Sequence, residues 1–198
     1  MPPAVGRASC LVRGTYRALS RWGPSVMPIE IETVTLRDAE PNDIPAIVEI
    51  YNESVVSSTA SFDLAPKTIE DYTVWFSAHG GRYPVIVAQE NVIIGGWASL
   101  SRWSDRAAYD GTAEASLYVR RSHWGRGIGR RLFEAILERG RAAGLHTIIS
   151  RIAGGNDVSV RLHESWGFVH VGVMSEVGLK FGQYLDVVMM QLIFDKRD

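Results

Sequence analysis

The chain has 198 residues, of which 46% are hydrophobic and 22% charged, with one cysteine and a formal net charge of −1. That balance describes a globular chain long enough to bury a core, and excludes disorder, collagen-like sequence and coiled coil. Cys10 alone excludes an internal disulfide framework, the histidines lack metal-ligand spacing, no apolar run reaches the roughly 20 residues of a bilayer span, and the charge gives no reason to expect nucleic acid.

Taken in chain order, residues 1–26 come first. They hold Arg7, Arg13, Arg17 and Arg21 and no acid; without them 17 basic and 22 acidic groups remain, so residues 27–198 carry −5. An Arg-rich, acid-free start is compatible with a transit peptide, but this stretch lacks the apolar core of a secretory signal. It reads as a disordered basic leader, or as a mis-called start with translation beginning at Met27. Residues 27–198 then form one domain.

Thr33 to Arg37 reads as a strand. Pro41 and Asn42 open a helix to about Glu53, with Ile44, Ile47, Val48 and Tyr51 on one face. Thr68 and Asp71 form a capping-box pattern ahead of a helix reaching about His79. Val85 to Ala88 and Ile93 to Leu100 form a hairpin, and a loop leads to the strand Thr112 to Val119. A helix from about Ile128 to Ala143 stops at Gly144. Thr147 to Ile152 is a strand, Asn156 to Trp166 a short helix, and Val169 to Val177 with Leu185 to Ile193 a closing antiparallel pair. The order β-α-α-β-β-β-α-β-α-β-β, without repeats, predicts one mixed α/β domain.

Chemistry concentrates between Glu114 and Arg131, EASLYVRRSHWGRGIGRR. A strand enters a glycine turn and the turn enters an amphipathic helix. Gly125, Gly127 and Gly129 let backbone approach a ligand, and the first helical turn adds unpaired N–H donors and the positive end of the dipole. Arg120, Arg121, Arg126, Arg130 and Arg131 add charge with no acid among them. The pattern reads as an anion trap fitted to a pyrophosphate. No Lys–Ser/Thr follows the glycines, which excludes a P-loop, and the mid-domain position disfavours a dinucleotide-binding unit.

WGRGIG after SLYV resembles the pyrophosphate motif of the GNAT acetyltransferase superfamily, with Trp124 standing where Gln or Arg is usual. NDVSVRLHESWGF (156–168) is similar to that superfamily's following helix. VGLKFGQYLDVVMMQ (177–191), YNESVVSSTASF (51–62) and AYDGTAEASLYV (108–119) are similar to its phosphinothricin acetyltransferase branch, which includes methionine sulfoximine and sulfone acetyltransferases. The resemblance spans about residues 34–195. It implies a single GNAT-like α/β domain whose mixed, mostly antiparallel sheet splays at its centre and is flanked by helices. It also implies acetyl-CoA as acyl donor, no metal, a small amine acceptor, a cytoplasmic enzyme without nucleic-acid or membrane partners, and a homodimer.

The same resemblance assigns residues. Backbone of Leu117, Tyr118 and Val119 would hold the pantetheine arm in the splay. Gly125, Arg126, Gly127, Ile128, Gly129 and Arg130 would cradle the pyrophosphate, and Asn156 would reach the pantetheine; read by itself, Asn156 is a helix N-cap. Glu114 would be the general base, and by itself is a solvated carboxylate or a partner of Arg106. His163 would protonate the departing thiolate, or simply pack on the core. The Val119 N–H would meet the oxyanion. Phe62, Trp103, Arg106, Tyr109, Lys180, Phe181 and Tyr184 would line the acceptor site, while Trp75 and Trp97 read as core. Rival readings are a protein N-terminal or other amine acetyltransferase, and a non-catalytic acyl-CoA-binding sensor.

Overall fold

The computed structural model describes residues 34–194. The basic leader, Cys10 and the start at Met27 lie outside the described residues. Seven strands form one sheet in the order β1-β2-β3-β4-β5-β7-β6. They are β1 (Thr35–Asp38), β2 (Val85–Glu90), β3 (Ile93–Arg102), β4 (Thr112–Val119), β5 (Thr147–Ala153), β6 (Val169–Lys180) and β7 (Gln183–Ile193). Every neighbouring pair is antiparallel except β4 and β5. The α-helices are α1 (Ile44–Ser57), α2 (Ile69–Ser77), α3 (Ile128–Ala142) and α4 (Asp157–Ser165).

The two-residue period of a strand sends alternate side chains to opposite faces, which builds two cores. Val85 and Val87 join Ile44, Ile47, Ile50 and Trp97 under α1 and α2. Ile86 and Ala88 turn the other way and join Leu132, Phe133, Ile136 and Ile148 under α3. β2 is covered on both sides, hence its unbroken apolar run.

The predicted elements are all present, with shifted ends. Helix α1 continues past Glu53 because Val55 is buried on its inner face. Helix α2 begins in the expected capping box, the Asp71 N–H donating to Thr68 at 3.1 Å and the Thr68 N–H to Asp71 at 2.9 Å. Strands β6 and β7 run on to the turn at Phe181–Gly182. Both turn residues have positive φ, +51° and +76°, as a two-residue hairpin requires. Short 3-10 turns at Ala107–Tyr109 and Arg121–His123 carried no periodic signal.

The β4–β5 pairing decides the function. It holds only at Thr112–Thr147, Ala113–Ile148 and Glu114–Ile149. Beyond Glu114, β4 stays with β3 while β5 stays with β7. Two parallel strands diverge, and the sheet opens a wedge with Glu114 at its apex.

Candidate active site

A cavity of about 1450 Å³ occupies the wedge and reaches both faces of the sheet. That exceeds the 300–1,000 Å³ of an ordinary small-molecule pocket, so it accommodates a long ligand and a second, smaller one. One end is the glycine turn before α3. Gly125 and Gly127 have φ of +75° and +74°, a region that costs an L-residue about 1–2 kcal/mol, and a Cβ at either position would meet no protein atom within 4 Å. Gly129 packs against β4, its Cβ position lying 3.6 Å from Val119. The turn therefore aims backbone amides and the start of α3 into open space.

The charge around this turn is arranged differently from the sequence expectation. Arg126 forks onto the buried carboxylate of Glu90, whose acidity that guanidinium strengthens. Arg120 grips Glu49 at 2.7 and 2.9 Å, and Arg131 donates to the Val34 carbonyl at 2.8 Å. Among the five arginines, Arg130 is the one whose residue lines the cavity. Arg126 thus anchors the turn to β2, while Arg130 and the backbone of the turn border the cavity. The unusual Trp124 has a local task as well: its indole N–H donates to the Val119 carbonyl at 2.8 Å and closes the turn onto the end of β4.

The other end lies on the α1/α2 face. Tyr51, Tyr72, Trp75, Trp97 and Tyr118 form a wall of rings with centroids 5.0–6.4 Å apart. Trp97 is core, as expected, but both it and the half-buried Trp75 also face the cavity. Tyr51 ties the loop after α1 to this wall through Ser61 at 2.8 Å and Asp63 at 2.5 Å, and burial followed by Asp63 pushes its phenol up to about 12. Burial likewise holds Tyr118 protonated.

Glu114 does not meet Arg106. Its two oxygens accept from Arg151 on β5, each at 2.6 Å, and the Arg151 guanidinium lies 5.8 Å from the Trp103 ring. The shared register explains this contact. Ile149 faces Glu114, and Arg151, two residues on, points to the same side. Hydrogen bonding to Glu114 raises the already high pKa of Arg151. With Arg151 half exposed, solvent screens the pair and holds its contribution to stability to about 1 kcal/mol.

His163 on α4 is buried against Phe133 and Phe168 and lines the cavity. Its Nδ1–H donates to the Ser159 carbonyl at 2.7 Å, which leaves Nε2 as the lone-pair nitrogen. Burial outweighs that bond and lowers its pKa, so the ring is neutral at pH 7. It holds no spare proton in the resting site. Asn156 caps α4, accepting from the Ser159 N–H at 3.2 Å, and also borders the cavity.

Of the predicted acceptor residues, Phe62 lines the cavity. Trp103 reaches the site through Arg151. Arg106, Tyr109, Lys180, Phe181 and Tyr184 are not among the cavity residues. Lys180 is buried and donates to the Ser61 carbonyl at 2.6 Å, while Phe181 and Tyr184 are exposed on the β6–β7 hairpin. Sequence reasoning missed Tyr51, Tyr72 and Arg151. Tyr72 and Trp75 carried a faint signal in their i, i+3 spacing, whereas Arg151 carried none without the β4–β5 register.

The cavity fits coenzyme A. Beyond Glu114 the edge of β4 that faces β5 has no strand partner, the buried Ser150 hydroxyl across the wedge has no hydrogen-bond partner, and the glycine turn leaves room for an anion. Among the described residues no cluster of histidine, cysteine, aspartate and glutamate could hold a metal, and no helix is long and apolar enough to cross a membrane.

A split mixed sheet with an amide cradle at the split defines a class of acyl-transferring enzymes. Residues 44–168 match the acetyltransferase (GNAT) family. A methionine sulfoximine/methionine sulfone acetyltransferase of Pseudomonas paraeruginosa is 39% identical over 165 residues, covering 82% of this chain and 96% of the relative. A phosphinothricin N-acetyltransferase of Streptomyces viridochromogenes is 32% identical, covering 85% and 92%. A phosphinothricin acetyltransferase of Sinorhizobium meliloti, solved with acetyl-CoA, superposes with a TM-score of 0.79 at 34% identity, covering 83% of this chain and 90% of that one. The chain belongs to the GNAT acetyltransferase family, and its enzymatic class is N-acetyltransferase.

Proposed function

We propose that the chain transfers acetyl from acetyl-CoA to the amino group of a small amino-acid-like acceptor of the methionine sulfoximine, methionine sulfone or phosphinothricin type. One observation carries this reading: the wedge joins a glycine cradle to an aromatic chamber that holds a carboxylate, Glu114, and a guanidinium, Arg151. The names of the relatives support the acceptor class.

In this reading the cofactor's thioester supplies an activated acyl carbon. Backbone of Leu117, Tyr118 and Val119 holds the pantetheine arm, the 125–130 turn with Arg130 holds the pyrophosphate, and Asn156 borders the arm. The acceptor arrives largely as ammonium, since amines titrate near about 8 to 10. Glu114 takes its first proton and passes it to solvent; the second leaves with the thiol, so ammonium and thioester become amide, thiol and one proton. The Val119 N–H donates to the oxygen that gains charge. His163, neutral at rest, accepts a proton at Nε2 before it can return one. Alignment of the two substrates supplies roughly 7–11 kcal/mol in well-oriented systems.

A cytoplasmic site of action follows from the intracellular supply of acetyl-CoA. We extend the proposal to a homodimer. Strand β6 is a sheet edge on which Val171, Val173, Val177 and Leu179 are each more than half exposed. Edge strands and apolar stripes of this kind are normally covered, and a second copy supplies a matching surface. Light scattering of the purified chain should give twice the chain mass, and a monomer would remove this part.

The acceptor reading is tested by thiol release from acetyl-CoA across an amine panel. Methionine sulfone, methionine sulfoximine or phosphinothricin should give the highest kcat/KM. Activity with peptides alone would overturn it.

A further inference from the structure

The resemblance placed Arg106 at the acceptor site, yet Arg106 is not a cavity residue, and Arg151 is. Arg151 forks onto Glu114, the carboxylate at the apex of the wedge, at 2.6 Å from each oxygen. An α-amino acid carries its ammonium and its carboxylate on one carbon, so a site that reads both needs an anion and a cation side by side. Glu114 and Arg151 are such a pair. Each is the opposite charge of one end of the ligand, and the planar guanidinium is shaped to take a carboxylate with two parallel hydrogen bonds.

We propose that Arg151 is the receptor for the acceptor's α-carboxylate, which displaces Glu114 from the guanidinium and releases it to the neighbouring ammonium. The inference rests on the amino-acid acceptor reading above and deepens it. Two features suit Arg151 to an exchange of partners. Its side chain is 52% exposed, against 20% for Glu114, so it is open to an incoming anion. The Trp103 ring, 5.8 Å from the guanidinium, gives the side chain a second support that does not depend on Glu114. The resting pair also satisfies a carboxylate that would otherwise sit partly buried and alone. An amine without a carboxylate meets Glu114 still engaged. Selectivity for amino acids over plain amines is thus built into the apex itself, apart from any fit of the acceptor's side chain to the aromatic wall.

The test compares L-methionine sulfone with its carboxamide, which keeps the amine and loses the anion, in the full chain and in Arg151→Met and Arg151→Lys. Thiol release gives kcat and KM for both acceptors. Calorimetry with coenzyme A present gives acceptor affinity independently of turnover, and thermal melting confirms that the variants fold. Wild type should prefer the acid. In Arg151→Met the acid-over-amide ratio should fall about 10–100-fold, the scale of a lost charge-assisted contact, mainly through KM and with a matching loss of acid affinity. Arg151→Lys should recover part of it. A folded Arg151→Met that acetylates amino acids with the wild-type ratio overturns this inference and leaves the acceptor reading standing. A wild type that acetylates other amines and no amino acid overturns both.

Discussion

The two ends of the cavity are built on opposite plans. The proposed cradle before α3 is a run of adjacent residues that offers backbone amides to the cavity, with Gly125 and Gly127 at positive φ. The acceptor chamber is assembled from side chains on α1, α2, β3, β4 and β5, and its key contact, Glu114 to Arg151, crosses between strands that part company one residue later. A backbone site is carried by local sequence and tolerates changes of neighbouring side chains: Trp124 and Arg126 serve the turn itself and leave the amides free to serve a ligand. A side-chain site depends on register between distant segments, so it can change specificity while the cradle stays fixed.

That contrast can be broken most severely at the cradle. Gly127→Val places a branched side chain at φ +74°, in the space where no protein atom lies within 4 Å. Calorimetry should find acetyl-CoA affinity reduced at least about 100-fold, since the strain and the lost amide contacts add. Retained affinity would mean that the turn is not the cradle.

At the acceptor end, Glu114→Gln should lower kcat/KM by about 10²–10⁴ at neutral pH while leaving acetyl-CoA affinity essentially unchanged. Turnover should recover in part as pH rises and the acceptor loses its proton unaided. An unaltered pH–rate profile would take Glu114 out of the proton transfer.

The smallest effect belongs to His163, on the seam between the two ends. Burial holds its pKa below the usual 6.5. Above pH 6.5 the ring is neutral in both folded and unfolded chains and makes no difference to their balance. As pH falls below 6.5 the unfolded chain binds a proton that the folded one refuses, so stability is lost in that direction. His79, also depressed by burial, adds to the same window. Melting temperature against pH should therefore fall less steeply just below pH 6.5 in His163→Phe than in wild type, with His79 contributing to the slope that remains. Parallel curves would show that His163 titrates freely.

The same division explains what could be read from the sequence. Periodicity and capping placed every strand and α-helix, and the glycine spacing placed the turn before α3, because both depend on residues within one or two turns of each other. Ends of elements moved where burial or pairing extended them, as at Val55 in α1 and along the β6–β7 hairpin. Arg126 was expected beside a phosphate, and what the sequence could not show is its fork onto the buried Glu90 on another strand. Arg106 shows the same limit in reverse. It lies close to Glu114 along the chain, but the parallel register delivers Arg151. The resemblance put Lys180 at the acceptor site, and the fold buries it against the Ser61 carbonyl.

A crystal structure of the full chain with coenzyme A and L-methionine sulfone tests the central claim most directly. Diphosphate oxygens should lie within hydrogen-bond distance of the 125–130 amides, with the acceptor nitrogen beside Glu114 at the apex of the wedge. Diphosphate seated away from that turn, or an acceptor bound outside the wedge, would contradict it.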